Sequence, residues 1–287
     1  MSAPQISELG VLNLAVIPQQ PCVFGDNPAG SIRAALLRRL ELFDPDLSQD
    51  IHATPKGASS VARPWTVSTL LGPLTKRGPS LIVSPGETYW VRLTGLAPRI
   101  VEVLDAAFPS DHPLARVPLE LQRTLFAVDA EKTHWEGLTS YSALLAAATP
   151  QRRIALEFRS PTAFRRGQER SGGSPEPRTC MEGYLRKWNA LSSIAMPEEA
   201  VQEIIDGQLK AVGNNLKQEL MRLGGYNIDG VTGAVEWFVE DASPYLLRLV
   251  NALVDYAAYC GTGMQTTQGM GQTVRLDLNA RSPAGES

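Results

Sequence analysis

Cysteine is scarce in this chain: Cys22, Cys180 and Cys260 are the only three in 287 residues. They are odd in number and far apart, which argues against a disulfide framework and against a zinc site. A reducing cytoplasm is the simple expectation. Histidine is equally rare, with only His52, His112 and His134. There is no His-Glu-x-x-His helix, no paired Cys-x-x-Cys and no dense carboxylate cluster, so no metal and no cofactor is implied. The chain lacks Gly-Lys-Ser/Thr, which removes a P-loop, and Gly-x-Ser-x-Gly, which removes a nucleophile elbow. No run of eighteen apolar residues occurs, so no membrane-spanning helix is expected. The N-terminus shows neither the basic nor the apolar region of a secretion signal.

What is present is ordinary for a folded chain, at 43% hydrophobic and 20% charged residues. The length suits about two domains. A net charge of −3 excludes a protein that coats nucleic acid over its whole surface. It leaves room for a local basic stripe, because affinity follows local phosphate contacts. Such a stripe runs from Arg152 to Lys187, with nine basic residues against four glutamates. Eight of the nine are arginine, the residue suited to bidentate phosphate contact. A solvated loop with scattered arginines is the plainer reading of the same stretch.

Near the end lies Gly261-Thr262-Gly263-Met264-Gln265-Thr266-Thr267-Gln268-Gly269-Met270-Gly271. Two Gly-x-Gly pairs bracket a mostly polar segment. Glycine tolerates positive φ and close backbone approach, and amides in such loops form nests for anions. The order is the reverse of a mononucleotide site. A helix from Ser243-Pro244 to Cys260 precedes the glycines, and an alternating strand through Val274, Leu276 and Leu278 follows them. Two readings stand: a helix-to-strand connector, or a loop pressed against a polynucleotide backbone.

The hydrophobic periodicity gives a duplicated pattern. In the first half, Leu9 to Ile17 reads as a strand. A helix follows Asn27-Pro28, with Ile32, Leu36, Leu40 and Phe43 on one face; Arg33, Arg38 and Arg39 fall elsewhere on it, free to be solvated or to meet an anion. Asp50 to Ala62 reads as a loop carrying His52. Strands follow at Trp65–Leu71 and Glu87–Leu93, then a helix at Pro98–Ala107 and a strand within Val117–Val128. His134 and Trp135 stand at the entry to a joining helix, Ser140–Ala147. In the second half Ile154–Phe158 and Val231–Val239 read as strands, and Leu185–Ser193 and Glu198–Leu223 as helices. Gly167 to Pro177 reads as a mobile polar loop. Each half has the split βαβ order. The expected fold is α+β: tandem ferredoxin-like, RRM-like βαββαβ domains over residues 1–149 and 150–280, with 281–287 as a disordered tail.

The chemistry available to such a chain on nucleic acid is metal-free. His112 sits in a turn and His134 beside a tryptophan, where structural roles fit. His52 lies in a loop beside Lys56 and ahead of Arg63, and loops on rigid scaffolds are where catalytic groups tend to lie. A histidine, with an ordinary pKa of about 6.5, moves protons at neutral pH. A basic side chain can stabilise a charged phosphorane, and an RNA 2′-hydroxyl can serve as internal nucleophile.

These stretches together resemble the Cas6 family of CRISPR repeat-processing endoribonucleases. The glycine stretch is similar to that family's GhGxxxxxGhG loop (h, hydrophobic), except that Thr262 is polar. Ile51-His52 followed by Arg63-Pro64-Trp65-Thr66-Val67-Ser68-Thr69-Leu70 looks like its histidine and Lys-Pro-Phe-Thr segment. Leu156 to Arg165, with Ser160-Pro161-Thr162-Ala163-Phe164, looks like its Ser/Thr-Pro-Thr segment.

The resemblance implies tandem ferredoxin-like domains that bind the repeat of a CRISPR transcript, often as a hairpin. It implies metal-independent cutting to a 5′-hydroxyl and a 2′,3′-cyclic phosphate. His52 matches the general acid or base, and Arg63, with Lys56 as substitute, matches its basic support. Arg159, Arg165 and Arg166 would hold RNA together with the loop residues Gly261, Gly263, Gln265, Thr266, Thr267, Gln268, Gly269 and Gly271. Other Cas proteins of an effector complex are the further partners implied; no membrane is. The first helix carries no tyrosine, since none precedes Tyr89, although some relatives use one. No aromatic RNP stretch is seen, so shape and phosphate contacts are the expected mode of reading. A non-catalytic RNA-binding subunit is the alternative.

Overall fold

The structure, a computed structural model, describes residues 7–25, 27–52, 62–78, 80–109, 111–165, 175–223 and 225–278. The first half contains β1 (Leu9–Pro18), β2 (Cys22–Phe24), α1 (Ala29–Phe43), α2 (Pro45–His52), β3 (Trp65–Val67), β4 (Thr75–Arg77) and β5 (Ser80–Val83). It continues with β6 (Tyr89–Gly95), α3 (Pro98–Ala107), β7 (Leu119–Leu121), β8 (Thr124–Val128), β9 (His134–Thr139) and α4 (Tyr141–Ala147). The order β3-β6-β1-β8, all antiparallel, is that of a ferredoxin-like sheet. The place beside β1 opposite β6 is shared, with β8 pairing Val16–Pro18 and β9 pairing Leu9–Asn13. A small sheet, β2-β5-β4, stands apart. Ile32, Leu36 and Leu40 of α1 lie in the core with Leu12, Leu14, Val91 and Leu93, as their helical spacing requires.

The second half repeats the plan with β10 (Arg153–Thr162), α5 (Pro177–Leu191), α6 (Glu198–Gly207), β11 (Leu209–Asn214), β12 (Lys217–Leu223), β13 (Tyr226–Val239), α7 (Pro244–Cys260) and β14 (Thr273–Arg275). Its order is β11-β13-β10-β14, with β12 added as a hairpin on β13. The fold is therefore α+β with tandem ferredoxin-like halves. Helix α7 begins as its Ser-Pro signal requires: Ser243 caps it by accepting from the Leu246 amide.

Several local expectations fail. The stretch Glu198–Leu223 is not one helix. It ends at Gly207 and turns into β11 and β12, because the long β13 offers pairing along fourteen residues. Trp135 is not at a helix entry but in β9, held by β1. His52 is not in a loop: Asp44 ends α1 and, by accepting from the Leu47 amide, caps α2, whose last residue is His52. Arg39 is not available to an anion. It is 2% exposed and donates to the carbonyls of Ala107, Ala115 and Val117, over the Phe108 ring.

The halves meet through α7, which is buried on nearly every face. Arg92 of β6 donates to the Ala258 carbonyl at 2.7 Å and to Gln272 Oε1 at 3.1 Å. Thr94 donates to the Tyr259 carbonyl. From α4, the Tyr141 hydroxyl donates to the Leu96 carbonyl, and its ring meets Trp188 and Tyr256 edge-on or tilted.

The glycine stretch is fixed between these halves. At Pro161 the β10–β13 register shifts, and the loop enters the gap: the Gly271 amide donates to the Pro161 carbonyl and Gln272 to Ser160 Oγ. The Gly269 amide donates across to Val67 of β3 at 3.0 Å. Gly263 and Gly271 have φ of +77° and +68°, and a Cβ would lie 2.3 Å from the Ala163 oxygen and 2.0 Å from the Thr262 oxygen. Only glycine fits there.

The packing sets the expected stability of three variants. Arg92→Leu strands two partly buried acceptors and lowers the unfolding free energy by roughly 1–3 kcal/mol in urea denaturation; a loss under about 0.5 kcal/mol contradicts the interface role. Gly263→Ala costs roughly 2 kcal/mol or more through its left-handed backbone and the Ala163 contact. Gly183→Ala, in α5 where a Cβ meets nothing within 4 Å, raises stability by about 0.5–1 kcal/mol. Equal melting temperatures for the two glycine variants would refute the close fit.

Candidate nucleic-acid interface

A cavity of about 530 Å³ opens over the glycine loop, between α1 and α5. Arg33 of α1, Arg63 before β3, Arg165 after β10, and Arg186 and Lys187 of α5 line it. Among the described lining residues Glu182 is the only carboxylate, and it accepts from Arg178 at 2.8 Å. Positive charge from both halves therefore converges, with this one paired carboxylate among the described lining residues. Arg33 feels this most. Burial, and then repulsion from Arg63, holds its pKa below the ordinary guanidinium value. Its Nε is buried and meets no acceptor.

The loop presents part of its backbone to this cavity. The expectation of a freely exposed row of amides holds only for its crest. The amides of Thr262, Met264, Gln268, Gly269, Met270 and Gly271 donate to protein carbonyls. Those of Gly263, Gln265, Thr266 and Thr267 meet no acceptor among the described residues. Gln265 reaches its position with a left-handed backbone, φ +56°. Four unmatched amides beside arginines form an anion-binding surface of the nest type.

The candidate residues divide over this geometry. Gly261, Gly263, Gln265, Thr266, Thr267 and Gln268 line the cavity with Arg63 and Arg165. Gly269 and Gly271 lie behind it, in the contacts that fix the loop. His52 closes α2, and Arg63 donates to the carbonyl of the adjacent Ile51 at 2.6 Å. That bond ties the end of α2 to the cavity wall. Arg159 is elsewhere. It pairs with Glu157 and lines a separate cavity of about 480 Å³ with Lys76 and Arg222. Lys56 and Arg166, like most of the polar loop expected at Gly167 to Pro177, lie outside the described residues.

Sequence reasoning did not assign Arg33 or Arg186 to the site. The available signal was weak: Arg33 lies off the apolar face of α1, and Arg186 sits in the basic stripe, but only the tertiary fold brings α1 and α5 to one cavity. The remaining histidines are structural in setting. His112 caps a 3₁₀ turn and stacks on Phe43, and His134 on β9 stacks edge-on with Trp90. Among the described residues no three His, Cys, Asp or Glu side chains converge, and no helix is long and apolar enough to cross a membrane.

Comparison with known proteins points to one family. The family model for "CRISPR-associated endoribonuclease Cas6" matches residues 156–273, from β10 through the glycine loop to β14. A curated relative, CRISPR-associated endoribonuclease Cas6 of Mycobacterium tuberculosis, is 20% identical over 240 residues, covering 81% of this chain and 67% of its own. Among solved structures, a Cas6 product complex superposes with a TM-score of 0.72 at 22% identity, covering 93% of this chain and all of that one. Thermus thermophilus Cas6 gives 0.66 at 23%, covering 96% and 100%. A Cas6-related protein from Pyrococcus furiosus gives 0.61 at 10%, covering 94% and 99%. The structural likenesses carry the tandem fold, and the likeness to the Cas6 family model is carried by the loop-bearing half, residues 156–273.

Proposed function

We propose that this chain is a metal-independent endoribonuclease that binds the repeat of CRISPR precursor transcripts and cuts it to release guide RNAs. The observation that carries this reading is the cavity: guanidinium groups from both halves surround four unmatched loop amides, and the described residues supply no free carboxylate to neutralise them. Such a site takes the phosphodiester backbone rather than a neutral metabolite. The curated relatives are named endoribonucleases, and two of the similar Cas6 structures are described as product and substrate-mimic complexes. Those names support RNA as the ligand.

The step needs few groups. A base removes the proton of the 2′-hydroxyl, and its oxygen attacks the adjacent phosphorus. The bond from phosphorus to the 5′-oxygen breaks, and an acid protonates the leaving oxygen. The products are a 2′,3′-cyclic phosphate and a 5′-hydroxyl. His52 fills the acid or base role, at the end of a helix tied to the cavity by Arg63. Arg63, with Lys56 in support, counters the charge that develops on the phosphorane. Arg165, Arg166 and the loop crest hold the backbone near the cut, and Arg159 contacts RNA from the second cavity. The repeat is taken as a hairpin, and other Cas proteins are downstream partners.

Repeat RNA incubated with wild type in excess EDTA is predicted to be cut, and a 2′-deoxy substitution at the cut nucleotide to block cleavage. His52→Ala lowers the single-turnover rate by roughly 10²- to 10⁴-fold, while the dissociation constant changes little. Cleavage that stops with EDTA, or that survives the deoxy substitution, contradicts the chemistry. Tight repeat binding with no cleavage by wild type favours a recognition subunit instead.

A further inference from the structure

We propose that Lys187 and Tyr184 are positioning residues, which hold the two feet of the glycine loop so that its crest amides stay aimed at the cavity. The inference rests on the reading of that loop as the RNA site. Both residues belong to α5, three positions apart, and so project from one face of the helix.

Lys187 was one of the nine basic residues of the stripe, but its ammonium is engaged. Its Nζ donates to the Cys260 carbonyl at 2.8 Å and to the Gly261 carbonyl at 3.0 Å. These carbonyls lie at the C-terminal end of α7, where helix oxygens lack intrahelical partners and a cation is favoured. The first foot of the loop is thereby fixed.

Tyr184 secures the second. It is 1% exposed, and its hydroxyl meets Thr262 Oγ1 at 2.5 Å. Thr262 Oγ1 meets Thr273 Oγ1 at 2.7 Å, and Thr273 donates to the Gly271 carbonyl at 2.9 Å. The Thr262 amide donates to that same carbonyl. A chain of buried hydroxyls thus links α5 to both ends of the loop. It also accounts for Thr262, the polar residue where an apolar one was expected: it is fully buried and fully partnered. Between the two feet, the backbone hydrogen bonds of Gly263 to Gln268 are local or run to Ala163, and Met264 and Thr266–Gln268 also pack against neighbouring side chains, β3 and α1, so the feet held by α5 set the loop's direction together with those contacts.

The test has two arms. In the free protein, amide hydrogen exchange at residues 261–271 is predicted to rise at least tenfold in Lys187→Met and in Tyr184→Phe, with exchange in β1 and β6 unchanged. With repeat RNA, the cleavage rate at saturating enzyme falls at least tenfold in both variants while the dissociation constant stays within threefold. Tyr184→Phe removes one oxygen and decides the matter if Lys187→Met does not fold. Unchanged loop exchange overturns the proposal. So does faster exchange with an unchanged cleavage rate, or a loss of affinity alone, which would mark Lys187 as an RNA contact. Wild type that cuts no repeat RNA sinks the nuclease reading, whereas loop exchange, measured without RNA, still decides whether α5 holds the loop.

Discussion

One slot sets the rest of the molecule: the gap at Pro161 into which the glycine loop is fitted. Proline has no amide to give the ladder, and β10 shifts register there against β13. The carbonyls of Pro161 and Ala163 are left facing inward and are taken up by the Gly271 and Met264 amides. Backbone then lies so close to backbone that no Cβ fits at Gly263 or Gly271. The same loop reaches Val67 on the other sheet through Gly269. Loop conformation and the relation of the two halves are therefore one problem. Arg92, which spans from β6 to Ala258 and Gln272 at either end of the loop, closes the arrangement from the N-terminal side.

Fixing the loop this way concentrates unbalanced charge. Arg33, Arg63, Arg165 and Arg186 approach one cavity that has a single, already paired, carboxylate among its described lining residues. Arg33 loses solvation there and is repelled by Arg63. Such crowding costs folding free energy, since a buried charge gains nothing without a counter-charge. It is offset when an anion enters. Elsewhere some cations are paired: Arg99 lies between Asp44 and Asp50, and Arg275 against Asp255.

Much of the fold was legible because its signals were local. The Ser243-Pro244 cap, the apolar faces of α1 and α7, and the doubled split βαβ order all follow from spacing and turn chemistry. What was misread was decided at long range. Residues 209–223 look helical until β13 offers two pairing partners' worth of edge. The end of α2 at His52 depends on Asp44 capping a second helix directly after the first. At the site, the glycine stretch was legible as a backbone-approach loop, but not which amides remain unmatched. Arg39 and Arg33 are six residues apart on one helix. Whether each meets carbonyls or a cavity is set by the residues that α1 packs against, which sequence spacing does not encode.

The salt dependence of repeat-RNA affinity tests most directly whether the cavity is where the phosphate backbone sits. Wild type is compared with Arg33→Gln/Arg186→Gln, two sites outside the loop and its supports. The slope of log affinity against log salt is expected to become shallower by about 0.7 per lost phosphate contact, with weaker binding at every salt concentration. An unchanged slope and unchanged affinity would place the RNA elsewhere and leave this cavity without its ligand.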